Sequence, residues 1–144
     1  MNDRRDPGKR GLGLIRHAGK VMKWGKGAAA GGFVFLSGVE ARTEEEDIPP
    51  KTMKEQVELV MDRIRARLEE AGTGVDNVVK FVWYIADRSQ LQEFYDARDS
   101  WLSKNAHSLL KERSYASTLL VVGLARHDML VEVDCIAYAP KDGL

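Results

Sequence analysis

The chain has one cysteine, Cys135, in 144 residues. That excludes an intrachain disulfide framework and a multi-cysteine metal site. No apolar run approaches the roughly 18 residues that would span a bilayer. Net charge is also missing: 22 Lys plus Arg balance 22 Asp plus Glu. A neutral chain lacks the electrostatic footprint of a dedicated nucleic-acid binder. His17, His107 and His127 show no metal-ligand spacing, and surface or structural roles are expected for them. The N-terminal residues hold no apolar core of a secretory signal, so a cytoplasmic location is expected.

The chain does have the balance of a globular protein, 44% hydrophobic and 31% charged, at a length that fits one domain. Charge is uneven along it. Residues 1–26 carry eight Lys or Arg against two Asp. Residues 1–18 read as a basic flexible tail, either solvated or an arm for an anionic partner, ahead of a single domain over 19–144. Glu40 to Asp47 holds five acids and one Arg before Ile48-Pro49-Pro50, which predicts an exposed loop.

Gly19–Trp24 and Phe33–Ser37 read as strands joined by the turn Gly25–Gly32, a β-hairpin. Thr52 to Ala71 predicts a helix. Thr52 and Glu55 have capping-box spacing, Met53, Val57, Val60, Met61, Ile64 and Leu68 line one face, and Gly72 ends it. Asn77–Ala86 is a buried strand by its β-branched and aromatic content. A second helix is expected from Arg88 to Ser103 behind Asp87 and Gln90. Strands at Tyr115–Val122 and Leu130–Tyr138 close the order ββαβαββ. This order predicts an α+β fold, a mixed six-stranded sheet, one strand more than the five assigned, with two helices on one face. The other face has no helix left to cover it, which points to oligomerisation through the sheet.

Several motifs fail on inspection. Gly25 to Ala30 matches GxGxxA, but a strand follows instead of the helix that would hold a pyrophosphate. Ser37 has no nucleophile elbow around it. Cys135 lies inside an apolar strand and reads as a buried, inert thiol.

The order and spacing of several strings carry a resemblance. They are Phe33-Val34-Phe35-Leu36-Ser37-Gly38, Gln56, Glu69-Glu70-Ala71-Gly72, Val78-Val79-Lys80, Asp87 and Leu130-Val131-Glu132-Val133. Together they resemble the Rid family, YjgF-type deaminases of reactive imines and enamines, over about Gly19 to Pro140. The resemblance implies a chorismate-mutase-like fold and a homotrimer with small-molecule clefts between subunits. It also implies water addition to C=N with ammonia loss, and no metal or organic cofactor.

The site positions carry over in part. Glu132 matches the family's water-activating Glu and is the expected catalytic residue. The family's carboxylate-clamping Arg falls on Ala116, counted back from Leu124, and Ala116 can hold no carboxylate. Thr118 replaces the residue, often Cys, beside the water and oxyanion contacts, and is expected to steady developing charge. Trp24 stands for the family's Tyr, Val39 for its Gln and Tyr95 for its Asn. Trp24 and Tyr95 are expected to stack on a larger, aromatic or ring-derived substrate, or else to pack a subunit interface. Arg113 and Arg98 are candidates for a relocated cation. Lys80 reads as structural or at a sheet edge. A tautomerase or cyclisation catalyst and a non-catalytic binding trimer are the alternatives. A ribonuclease, described for some family members, ranks low on charge and on the absence of a suitable His pair.

Overall fold

The computed structural model of the chain describes residue 4, residues 6–43 and residues 45–140. Residues 1–3 and 5 of the expected tail, Glu44 of the acidic stretch and residues 141–144 of the expected domain lie outside them.

The first helix forms where its local signals place it. α1 is Met53–Glu70, with Thr52 at its N-cap. Thr52 Oγ1 accepts from the Glu55 amide at 3.2 Å and donates to Glu55 Oε1 at 2.8 Å. Gly72, at φ 89°, takes the left-handed conformation. The Gly72 amide donates to Glu69 O and the Thr73 amide to Leu68 O, both at 3.0 Å, which closes the helix end. All six apolar positions of the expected stripe are buried.

The strands are more numerous than expected. They are β1 Arg10–Gly11, β2 Leu14–His17, β3 Lys20–Gly25, β4 Gly27–Ala30, β5 Phe33–Glu40, β6 Val78–Ile85, β7 Ala116–Val121 and β8 Val131–Tyr138. Six form one mixed sheet in the order β1-β4-β5-β8-β6-β7. β6 and β7 run parallel, and the other pairs are antiparallel. The expected class, a mixed six-stranded sheet backed by helices, is what forms.

The expected first hairpin is corrected. The Gly-Ala stretch is not a turn but the strand β4, which pairs with β5 across the two-residue turn Gly31–Gly32. Both glycines have positive φ, 60° and 83°, as a hairpin turn of matching twist requires. Alanine is a weak strand former, yet pairing on both edges of β4 overrides that preference. β3 instead pairs with β2 in a separate two-stranded ribbon whose turn is Ala18–Gly19. The expected tail is corrected with it, because residues 10–17 enter β1 and β2. Their backbone groups find partners, among them Leu12 N to Gly27 O at 3.0 Å and Lys26 N to Gly13 O at 2.9 Å.

The second helix, α2, is Leu91–Asn105, preceded by a 3-10 turn at Arg88–Gln90 where Asp87 caps Ser89. A short helix, α3, runs His107–Glu112 and was not anticipated, since six residues show no resolvable period. α1 and α2 pack together. The core lies between them and the inward residues of β5, β6 and β8, including Val34, Phe81, Trp83, Val133 and Cys135. The other sheet face is open within the chain, and Phe33, Phe35 and Tyr138 stand exposed on it. No helix among the described residues is long and apolar enough to cross a membrane.

Candidate active site

A β-bulge builds the centre of the open face. The register between β5 and β8 shifts between Leu36 and Val39. Simple alternation would put Leu36 inward and Val39 outward. The extra residue turns both inward, at 7% and 0% exposure. Val39 is therefore corrected: its side chain belongs to the core and does not reach the open face. Gly38, at the bulge, presents bare backbone there, and the Glu132 carboxylate lies against it. A Cβ at Gly38 would overlap Glu132 Oε1 and come within 3.3 Å of Asp134 Oδ1. Gly38→Ala is expected to displace the Glu132 carboxylate with little loss of stability, since the atoms in the way are the ends of flexible side chains, and urea unfolding beside a Glu132 titration checks both.

Glu132 sits on β8 between Glu40 of β5 and Tyr84 of β6. Burial lifts its carboxyl above the usual range, the negative charges of Glu40 and Asp134 lift it further, and Arg42 opposes them. Tyr84 donates its hydroxyl to Asp134 Oδ2 at 2.8 Å, which raises the phenol in turn. Two depressions meet at Glu132. One, of about 190 Å³, is walled by Ile15, His17 and Trp24 of the ribbon with Glu40, Arg63 and Gly38. The other, of about 350 Å³, is walled by Tyr84, Val122, Leu124 and Asp134. A half-buried carboxyl raised above its usual range beside a cavity is a candidate for proton exchange with a ligand.

Of the residues anticipated from sequence, Trp24 is the one brought to Glu132, and it is 55% exposed. Thr118 faces the open side from β7, opposite Val82, and accepts from Lys80 Nζ at 3.3 Å. Lys80 thus lies on the open face of an interior strand and not at an edge. Ala116 opens β7 opposite Lys80. Thr118 and Ala116 line neither of the two depressions. Arg113 caps α3 in the left-handed conformation, at φ 51°, and is exposed.

Arg98 and Tyr95 do not reach Glu132 within the chain. The Arg98 guanidinium stacks 5.5 Å from Trp83, 5.5 Å from Phe94 and 5.0 Å from Tyr95, and Nε donates to Asp99 at 2.9 Å. Trp83 points into the helix-covered layer, so the whole stack lies on the far side of the sheet from Glu132. Cys135 is buried, and desolvation pushes its thiol up to about 12.

His17, Glu40, Arg42 and Asp134 were not anticipated at this site. Asp134 could have been found, because it lies two residues from Glu132 on the same face of a strand. Glu40 was hidden in the acidic stretch expected to be loop, although it is the last residue of β5. His17 and Arg42 had no local signal, since Arg42 Nη2 reaches His17 Nδ1 at 2.6 Å only once the ribbon has folded.

Known proteins share the family and the fold. Residues 17–139 match the family described as endoribonuclease L-PSP. A RutC family protein of Pyrococcus abyssi is 28% identical over 109 residues, 75% of this chain and 80% of its own. The YjgF gene product of E. coli has a similar structure, with TM-score 0.76 and 16% identity, covering 91% of this chain and 99% of its own. E. coli TdcF with bound serine gives TM-score 0.73 and 18% identity over 87% of this chain and 94% of its own. With a family match over most of its length and the family's sheet and helix arrangement, the chain belongs to the YjgF/Rid (endoribonuclease L-PSP) family.

Proposed function

We propose that the protein hydrolyses a C=N bond of an imine or enamine and releases ammonia. One observation carries this: Glu132 is held half-buried against the bare backbone of Gly38, with its carboxyl raised by burial, Glu40 and Asp134. As the carboxylate, Glu132 takes a proton from water while the water oxygen bonds to the imine carbon. Glu132 passes that proton to the imine nitrogen to give a carbinolamine. It then takes the carbinolamine hydroxyl proton and delivers it to the nitrogen as C=O forms and the C–N bond breaks, so a carbonyl and ammonia leave. The raised pKa suits both halves of that transfer.

The working unit is a homotrimer in this reading. The exposed apolar residues Phe33, Phe35 and Tyr138 support a second copy on the open face. That copy would bring Thr118 and Ala116, which lie apart from Glu132 within the chain, to the small-molecule cleft. Thr118 with backbone N–H groups would then steady the charge on nitrogen. The serine held by the TdcF structure is consistent with a ligand related to amino acids in this fold. Ala116 provides no carboxylate clamp, and exposed Trp24 provides a flat apolar wall, so a bulky or carboxylate-free imine is the favoured substrate.

The test is ammonia release from imines made in situ by amino-acid and amine oxidases. Turnover is expected on aromatic or carboxylate-free imines and weak turnover on small 2-imino acids. Ala116→Arg is expected to raise kcat/KM for 2-imino acids by about 10- to 100-fold, since a charge-assisted pair contributes about 1.5–3 kcal/mol. No ammonia from any imine would overturn the reading. A tautomerase is the second reading, favoured by the Tyr84–Asp134 hydrogen bond beside Glu132. It would give a rearranged product with no ammonia.

A further inference from the structure

The ribbon of β2 and β3 stands outside the main sheet, yet it forms one wall of the cavity at Glu132. At its base, Ser37 Oγ donates to Gly25 O at 2.6 Å. At its tip, the Arg42 guanidinium reaches it. Arg42 lies two residues beyond β5, with its side chain only 12% exposed. Its Nη2 is 2.6 Å from His17 Nδ1 and 3.4 Å from Glu40 Oε1, and its Nη1 donates to Asp47 at 3.0 Å. Asp47 also accepts from Arg126 Nη1 at 2.9 Å, and Arg126 forks onto Asp128. The Arg42 guanidinium therefore links the ribbon, the end of β5 and, through Asp47, the segment that leads into β8.

The chemistry of the link is one-directional. Arginine can only donate, so His17 Nδ1 must offer a lone pair and the ring must be neutral. Burial and the neighbouring Arg42 charge hold His17 below its ordinary pKa, with Arg63 acting the same way and Glu40 and Asp47 opposing. Around Glu132, Glu40 and Asp134 favour the protonated carboxyl, and Arg42 opposes them. Tyr84 adjoins it on β6, and His17, Arg63 and Arg67 face the same cavity.

We propose that Arg42 is the positioning residue of the Glu132 cleft. Through His17 it holds the ribbon wall that carries Trp24, and through Glu40 it offsets the negative charge that faces Glu132. This rests on Glu132 being the reactive carboxyl, and its test reads Glu132 without substrate.

The experiment is a pH titration of carboxyl-labelled Glu132 by NMR in the full chain, together with the Trp24 indole signal. Arg42→Gln is expected to raise the Glu132 midpoint, because a nearby cation is removed. Arg42→Lys keeps the charge and is expected to restore the midpoint while leaving the Trp24 signal displaced. His17→Phe removes the acceptor and is expected to displace the Trp24 signal with little change in the midpoint. Should Arg42→Gln fail to fold, the other two variants still decide: an unmoved Trp24 signal in both would overturn the proposal. So would an Arg42→Gln titration matching the unaltered protein. A shifted titration in a protein that releases no ammonia would sink the hydrolysis reading and leave the role of Arg42 standing.

Discussion

Glu132→Gln is expected to cut imine turnover by about 10²- to 10⁴-fold, the usual contribution of a positioned general base, and to raise Tm at neutral pH. The two effects share a cause. Glu132 lies on a strand among Glu40, Asp134 and the wall of the ribbon, where burial first and the neighbouring charges second disfavour its ionised form. Its folded pKa is therefore above the unfolded value. A carboxyl shifted in that direction favours the fold below the ordinary carboxylate pKa and loses that contribution as pH rises through the folded pKa. At neutral pH the charge strains the fold, and glutamine keeps the shape without it. Thermal unfolding checks this: the Tm advantage of the variant should be a few degrees near pH 7 and shrink toward about pH 4. An equal Tm at both pH values with turnover intact would remove Glu132 from the mechanism.

Gln56→Ala should be among the most damaging single changes in the chain. Gln56 is 1% exposed on α1. Its Nε2 donates to Pro50 O at 2.8 Å and Asp128 O at 2.9 Å, and its Oε1 accepts from Leu130 N at 2.8 Å. One amide thus joins the segment after β5, the helix and the entry to β8, the three pieces that frame Glu132. Truncation leaves two carbonyls and an N–H without a partner and opens a cavity. The cost is on the order of 3–5 kcal/mol against a typical total of about 5–15 kcal/mol. Urea unfolding measures it, with Gln56→Leu separating lost volume from lost hydrogen bonds. A loss under about 1 kcal/mol for Gln56→Ala would show that water replaces the amide at little cost.

The legible parts of the molecule are those specified by neighbours in the chain. α1 was readable to within a residue because cap, stripe and terminating glycine all act over one to four positions. The strands β6 and β8 declared themselves by apolar runs. Glu132 was readable as a polar residue alternating outward from such a run, in a string that resembles the family's. The mixed sheet with helices on one face followed from the order of these elements.

What surrounds Glu132 was settled by pairings between segments far apart in sequence. Composition marks the Gly-Ala stretch as a turn, but edge pairing makes it β4 and passes β3 to β2. That exchange builds the ribbon, brings His17 to Arg42 and puts Trp24 beside Glu132. One added residue at Gly38 reverses Val39 and clears space for a carboxylate. Arg98 and Tyr95 have helical spacing that suits a shared site, but the layer they pack in puts them behind the sheet. Register and sidedness are properties of strand pairing, where a one-residue shift turns a side chain from core to cleft. No local propensity holds that information, so the reactive carboxyl was visible in the sequence while its electrostatic setting arose only with the fold.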